Sequence, residues 1–201
     1  MNKLFLDIET IPVEKEKYEL LENIYNQKKA VGKNPGTFEE FLAGTGLDGA
    51  FGRIACISYA FNDDKPKTIS GKESLILQKF WEVAKTADLF IGFNILDFDL
   101  RFIYQRSVIL GVRPTLDLNF ARYRSSPIFD VMREWSKWES HNISLDTLAK
   151  ALGLKSSKDG AINGSNVAKA YEEGRLKEIY DYCERDVELT RKIYNRLTFR
   201  S

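Results

Sequence analysis

An α/β or α+β fold, with a β-sheet covered by helices, is predicted by the order of elements along the chain. Short apolar runs typical of buried strands lie in the first half, at 4–8 (LFLDI), 53–61 (RIACISYAF) and 88–94 (DLFIGFN). Segments with helical spacing fall between and after them, at 73–86, 97–110 and 144–154, and the last 35 or so residues are helical as well. The chain has 201 residues, 43% of them hydrophobic, which suits one domain with a sizeable core.

Each element has a local reason. The apolar strand at 4–8 ends in Asp7-Ile8-Glu9, and Pro12 precedes a charged helical segment at 13–30. KNPGT (33–37) is a turn, and Thr37 is placed to N-cap a helix over 37–43. GTGLDGAFG is a glycine-rich loop outside a strand-to-helix setting, so it is weak evidence for a nucleotide. The stretch 13–50 reads equally as an inserted helical arm or as helix packed on the core. NDDKP (62–66) turns into a short strand near 67–70, Gly111 ends the helix over 97–110, and 115–118 reads as a small strand. Ser144 caps a helix that Gly153 closes, 156–166 is a loop, and Gly174 breaks the C-terminal helical region.

Composition excludes several classes. Lys+Arg number 30 and Asp+Glu 29, a net charge of +1, so bulk basic charge does not argue for a nucleic-acid partner. Such a site must be local, or draw positive charge from bound metal. Cys56 and Cys183 are far apart and outside any CxxC, which suits free thiols in a reducing compartment. No apolar run reaches the roughly 18 residues of a membrane helix, and the N-terminus does not read as a signal peptide. A cytoplasmic protein with no membrane partner is the expectation.

Three groups of side chains carry chemistry. Asp7 and Glu9 are two apart on a strand and so share a face. Two like charges on a buried face need compensation, which a hard divalent cation supplies through oxygen ligands. The pattern D-x-E is weak alone: it occurs twice, but Asp186-x-Glu188 lies in a helical stretch where residues two apart diverge. In IGFNILDFDLRFI (91–103), Asp99 falls in the first turn of a helix, where the dipole favours a carboxylate. In YDYCERDVELT (180–190), Tyr182 and Asp186 are four apart on one helix face, an arrangement that suits a metal ligand beside a phenol orienting water. Each group alone also fits a bland reading: a solvated strand end, N-terminal helix acids with Asn94 in a turn, or a half-exposed tyrosine beside a solvated acid.

In this order, FLDIET, N-I-L-D-F-D and Y-C-E-R-D resemble the three exonuclease motifs of the DEDD (DnaQ-like) 3′–5′ exonucleases. The chain is most similar to a stand-alone group of predicted exonucleases related to the proofreading domain of family B DNA polymerases. The resemblance runs from residue 4 to about 197, with 13–50 the part matched least. It implies a ribonuclease H-like α/β fold, a mixed central sheet flanked by helices. It further implies metal-binding acids Asp7, Glu9, Asp99 and Asp186, with Tyr182 from the Y-x-x-x-D form of the third motif. Asp97 falls at a variable position and is left out of the metal shell. A rival, His141 with Asp146, has the spacing of the H-x-x-x-x-D form, but it sits at the start of the short helix that precedes the third motif.

The implied chemistry is two-metal phosphodiester hydrolysis with Mg²⁺ or Mn²⁺. Asp7, Glu9 and Asp186 hold the ion that generates hydroxide, Asp7 and Asp99 the ion at the leaving 3′ oxygen, and Tyr182 positions the attacking water. Thr10, Ile11, Asn94 and Phe98 are candidate substrate contacts. Basic residues that flank the motifs, Arg101, Arg106, Arg113, Arg122, Arg124, Lys155 and Lys158, are candidates for phosphates, although most such residues are simply solvated. The implied substrate is single-stranded DNA or a frayed 3′ end, cut to nucleoside 5′-monophosphates. RNA is the alternative polymer, and a catalytically silent binding module the alternative class. A polymerase or repair complex in trans is the expected partner.

Overall fold

The computed structural model describes residues 1–140, 142–157 and 161–199. Its centre is a five-stranded mixed sheet in the order β3-β2-β1-β4-β5. The strands are β1 (Lys3–Ile11), β2 (Arg53–Phe61), β3 (Lys67–Ser70), β4 (Leu89–Gly92) and β5 (Ile128–Asp130). β1, β2 and β3 form an antiparallel meander, and β4 and β5 add to β1 in parallel.

Eight helices accompany the sheet among the described residues: α1 (Tyr18–Ala30), α2 (Phe38–Gly44), α3 (Glu73–Ala84), α4 (Asp99–Ile109), α5 (Val131–Ser136), α6 (Leu145–Ala151), α7 (Val167–Glu172) and α8 (Leu176–Leu197). None is long and apolar enough to cross a membrane.

β1 is buried on both faces, which explains its nearly unbroken apolar run. Leu4, Leu6 and Ile8 face a core shared with Ile76, Phe80 and Trp81 of α3 and Leu100 and Ile103 of α4. Phe5 packs on the opposite face against Val187, Leu189, Ile193 and Tyr194 of α8, and Ile11 against Ile179, Tyr182 and Cys183 of the same helix. Burying each large apolar side chain of this kind contributes roughly 1.5–3 kcal/mol. The buried stripe of α8 recurs at 179, 182, 183, 186, 187, 190, 193 and 194, the three-and-four spacing of a single helix face. Gly174, at φ +73°, makes the left-handed turn that separates α7 from α8.

Residues 13–50 form an excursion between β1 and β2. α1 buries only Leu21, while Tyr25 meets Phe38 and Phe41 of α2 edge-on or tilted. Thr37 caps α2 in a reciprocal capping box with Glu40. The base of the excursion is pinned to β1: the Thr10 hydroxyl donates to the Gly46 carbonyl (2.7 Å), and Val13 N–H donates to Thr45 Oγ1 (3.0 Å). The glycine-rich loop serves packing: a Cβ on Gly52 would sit 2.4 Å from the Thr45 carbonyl oxygen and 3.0 Å from the Phe102 ring.

The remainder of that loop is held by Arg106. Its guanidinium forms a two-pronged pair with Glu73 (2.8 and 2.9 Å) and donates to the Gly49 carbonyl (3.3 Å). Glu73 also accepts Ile54 N–H (2.8 Å), so one buried ion pair ties α3, α4, β2 and the loop. Arg106 is therefore withdrawn from the group of candidate phosphate contacts. Its side chain is 3% exposed, and its fork is already matched to a carboxylate.

Two elements differ from expectation. The segment 115–118 is irregular, with the Thr115 hydroxyl donating to the Trp81 carbonyl (2.6 Å), and the fifth strand lies instead at Ile128–Asp130. A three-residue strand has no periodicity of its own and exists through its pairing with β4. Arg106→Ala is expected to lower unfolding stability by about 3 kcal/mol, because it strands a mostly buried carboxylate. Urea denaturation checks this; a cost under about 1 kcal/mol, the range of exposed pairs, would remove the ion pair from the supports of the fold.

Candidate active site

Asp7 and Glu9 leave β1 on the side covered by α8. Their cross-strand neighbours on β2 are Ser58 and Cys56. A register shift follows between Glu9 and Thr10, where β2 carries one extra residue, a bulge that redirects the strand end. β4 pairs with β1 only at Lys3–Phe5, so the edge of β1 beside Asp7 and Glu9 has no strand partner on that side. Asp99 takes the vacant position: its Oδ1 accepts Ile8 N–H (3.1 Å). The first-turn acid of α4 is thereby bonded to the residue between the two strand acids.

Asp130, buried at the end of β5, shapes the loop that delivers Asp99. Its carboxylate accepts N–H bonds from Asn94 and Leu96 in the loop and from Met132 and Arg133 in α5, all at 3.0–3.1 Å. Asn94 adopts φ +61°, a left-handed conformation asparagine tolerates, and its carbonyl accepts Phe98 N–H (3.0 Å). α8 supplies the last groups. Tyr182 and Asp186 lie one turn apart on the buried face of the helix and line the same cleft. Between them, the Cys183 thiol donates to Asp7 Oδ2 (3.3 Å) and approaches the Asp7 carbonyl (3.4 Å).

The five groups converge. Asp7, Glu9, Asp99, Tyr182 and Asp186 line one cleft of about 420 Å³, together with Thr10, Phe98, Leu47 from the base of the excursion, and Ser165 and Ala168. Two candidate substrate contacts are not in it. Ile11 is 3% exposed and packs into the core beside α8. Asn94 serves as a turn residue bonded to Asp130 rather than as a cleft wall. Asp97 also lies outside, gathering Arg101, Arg122 and Arg133 around its carboxylate. Asp146 sits in the first turn of α6, bonded to Lys150 and Ser156, while His141 and Lys158 fall outside the described residues.

The electrostatics of the cleft are those of crowded, dehydrated acids. Burial, then Asp186, Asp99 and Glu9, push the Asp7 carboxyl well above its usual range, and the Cys183 thiol opposes the shift. Glu9 is raised well above its usual range by burial first, then Cys56, Asp186 and Asp99. Burial raises Asp99 to about 7, against the N–H bonds it accepts from its own backbone and from Ile8. Tyr182 is pushed upward by burial and by Asp186, Glu9 and Asp7, so its hydroxyl keeps its proton at neutral pH. No lysine or arginine forms an ion pair with Asp7, Glu9 or Asp99 among the described residues.

That donor set fits hard divalent cations. The ligand atoms of Asp7, Glu9 and Cys183 lie within 4.8 Å of one another, and Asp99 and Asp186 add carboxylates to the same cleft. Positive charge brought by an ion would relieve the repulsion that raises the carboxyls.

Residues 49–201 match a family model described as "Predicted 3'-5' exonuclease related to the exonuclease domain of PolB". The chain belongs to this family of predicted 3′–5′ exonucleases. The match begins beyond Asp7 and Glu9, so their place in the site rests on the geometry above. Among solved structures, the chain is similar to the family B DNA polymerase from the hyperthermophilic archaeon Pyrobaculum calidifontis, at 16% identity and a TM-score of 0.68. That similarity covers 98% of this chain and 24% of the polymerase, and at this identity it concerns the fold, which is ribonuclease H-like. No curated protein sequence matches the chain.

Two contributors escaped the sequence reading. Asp130 is not among the residues the sequence reading singled out; its role as N-cap of α5 and anchor of the 94–96 loop is seen only in the structure. Cys183 looked like a free thiol, and its bond to Asp7 joins residues 176 positions apart.

The raised carboxyls dictate a pH trend for the metal-free protein. A carboxyl near 4 when unfolded and about 7 when folded, as for Asp99, keeps its proton longer in the folded state. Its stability contribution is therefore full below the unfolded value and is lost as pH rises through the folded one. The melting temperature without metal is expected to fall between about pH 5 and pH 8, and added Mg²⁺ or Mn²⁺ to raise it more at the higher pH. Differential scanning fluorimetry reads both; a metal shift equal at the two pH values would contradict the assignment of these acids as ligands.

Proposed function

We propose that the protein is a metal-dependent 3′–5′ exonuclease that hydrolyses the terminal phosphodiester of single-stranded DNA and releases nucleoside 5′-monophosphates. The observation that carries this reading is the convergence of Asp7, Glu9, Asp99 and Asp186 with Tyr182 in one cleft, drawn from β1, α4 and α8. Family membership supports the same reaction class. Asp7, Glu9, Asp99 and Asp186 would hold two Mg²⁺ or Mn²⁺ ions, which when bound supply Lewis-acid charge at the phosphate and an activated water.

The protein's own groups divide the remaining work. Asp7 is the central acid, with Cys183 fixing one carboxylate oxygen and Ile8 N–H holding Asp99 beside it. Tyr182 stays protonated, so it orients an attacking water through its hydroxyl rather than accepting a proton from it. Packing against Ile11, Ile179 and Cys183 holds the ring in place. Thr10 and Phe98 line the cleft where a terminal nucleotide would rest, Phe98 tilted against Phe102 with centroids 5.5 Å apart. The hydroxyl of Thr10 is already engaged with Gly46, so it shapes the wall by position. A polymerase or repair complex acting in trans remains the proposed setting.

Two measurements test this. With 5′-labelled single-stranded DNA and RNA of one sequence, a ladder shortening from the 3′ end is expected only with Mg²⁺ or Mn²⁺, and Asp7→Ala is expected to lower the rate at least about 1,000-fold. The better-cut polymer identifies the sugar preference, and no cleavage of either by folded protein would overturn the enzyme reading in favour of a binding module. Tyr182→Phe is expected to lower kcat by roughly ten- to a hundredfold while the metal-induced rise in melting temperature persists. Unchanged kcat would remove Tyr182 from water positioning.

A further inference from the structure

A cavity larger than the carboxylate cleft lies elsewhere in the protein. It has a volume of about 820 Å³ and lies along α4, between that helix and the irregular segment after it. Its size is that of a small-ligand site.

The cavity neighbours the cleft through an intermediate pocket that shares residues with each. Leu47 and Phe98 line both the cleft and a smaller pocket of about 200 Å³. Arg101 and Gln105 line both that pocket and the large cavity. Phe98, Arg101 and Gln105 are spaced three and four apart, on one side of α4, so the track runs along a single helix face. From Phe98 to Gln105 it covers about 10 Å.

The lining suits a nucleotide. Tyr104 is 49% exposed, and the half-buried Phe120 adds a second ring to the lining. Arg113 is exposed and makes no ion pair among the described residues, and Arg101 is held only loosely, 3.9 Å from Asp97. Asp117 also lines the cavity and offsets one of these charges, leaving an aromatic, mildly positive pocket. Flat rings beside available guanidinium groups recognise a base with its phosphate, without reading sequence. An exposed leucine at the junction, Leu47 at 75% exposure, stands over the passage between the two sites.

We propose that this cavity is a second nucleotide subsite, which holds a nucleotide of the substrate strand on the 5′ side of the bond being cut. The inference rests on the exonuclease reading above. With the 3′ terminus at the carboxylates, the remaining strand must leave the cleft, and the Phe98–Arg101–Gln105 face leads it to a pocket with stacking and phosphate-binding groups. Binding therefore depends on strand length: short strands fill the cleft alone, and longer ones gain the cavity.

Fluorescence anisotropy with 5′-labelled single-stranded DNA tests this, with Ca²⁺ replacing Mg²⁺ so that binding is read without relying on turnover. The unmodified protein is expected to bind a strand of about 12 nucleotides at least tenfold more tightly than one of about 3. Tyr104→Ala and Arg113→Glu are each expected to weaken binding of the longer strand roughly five- to twentyfold and to shrink the length dependence, with Tyr104→Phe restoring it. Both side chains are exposed, so the variants should fold, and unchanged melting temperatures check this. Equal affinity for the two lengths, or variants that bind the longer strand as the unmodified protein does, would overturn the subsite and leave the exonuclease reading standing. Failure of the unmodified protein to bind either strand would overturn both.

Discussion

Carboxylates that repel one another, held together out of water, are the constraint around which this molecule is arranged. Glu9, Asp99 and Asp186 are each less than a tenth exposed, and Asp7 is half-buried among them. The rest of the fold must oppose that repulsion. β1 does so by being buried on both faces, so that two acids at its end are small beside the apolar surface it contributes. α8 does so with one long buried stripe into which Tyr182 and Asp186 are set. The backbone also helps: Ile8 N–H and the Cys183 thiol each neutralise part of an acid's excess acceptor capacity.

A second buried acid network supports the first. Asp130 accepts four N–H groups from the loop and helix around it and so fixes the path of 94–98 into α4. Asp97, on the outer side of that loop, gathers three arginines. The near-neutral chain thus separates its charges by depth. Glu9, Asp99, Asp130 and Asp186 are held inside, while many of the arginines around the site stand at its rim or in ion pairs. Arg106 is the exception, and its burial is matched by Glu73.

Much of this was legible because it is written in local pattern. The strands at 53–61 and 67–70, the caps at Thr37 and Ser144 and the break at Gly174 follow from side-chain alternation, hydroxyl capping and the freedom of glycine. The grouping of Asp7, Glu9, Asp99, Tyr182 and Asp186 was read from the order of motifs, and the geometry brings those side chains into one cleft. What was not legible depends on partners distant in sequence. Three residues become β5 only beside β4, Ile11 and Asn94 look like cleft residues until the chain turns them away, and Cys183 meets Asp7 across nearly the whole chain. The cavity beside α4 had no signal beyond an arginine count, because Trp81, Tyr104 and Arg113 come from separate segments.

The span between β1 and α8 has a consequence for biosynthesis. Asp7 is made before Asp186, and α8 must dock before the two share a cleft. Synthesis runs from the N-terminus, so the strands are made while the acid cluster is still incomplete. A nascent chain lacking α8 lacks Tyr182 and Asp186 and leaves the Asp7 side of β1 uncovered. The full set of cleft groups therefore exists only once α8 has been made and has docked on β1.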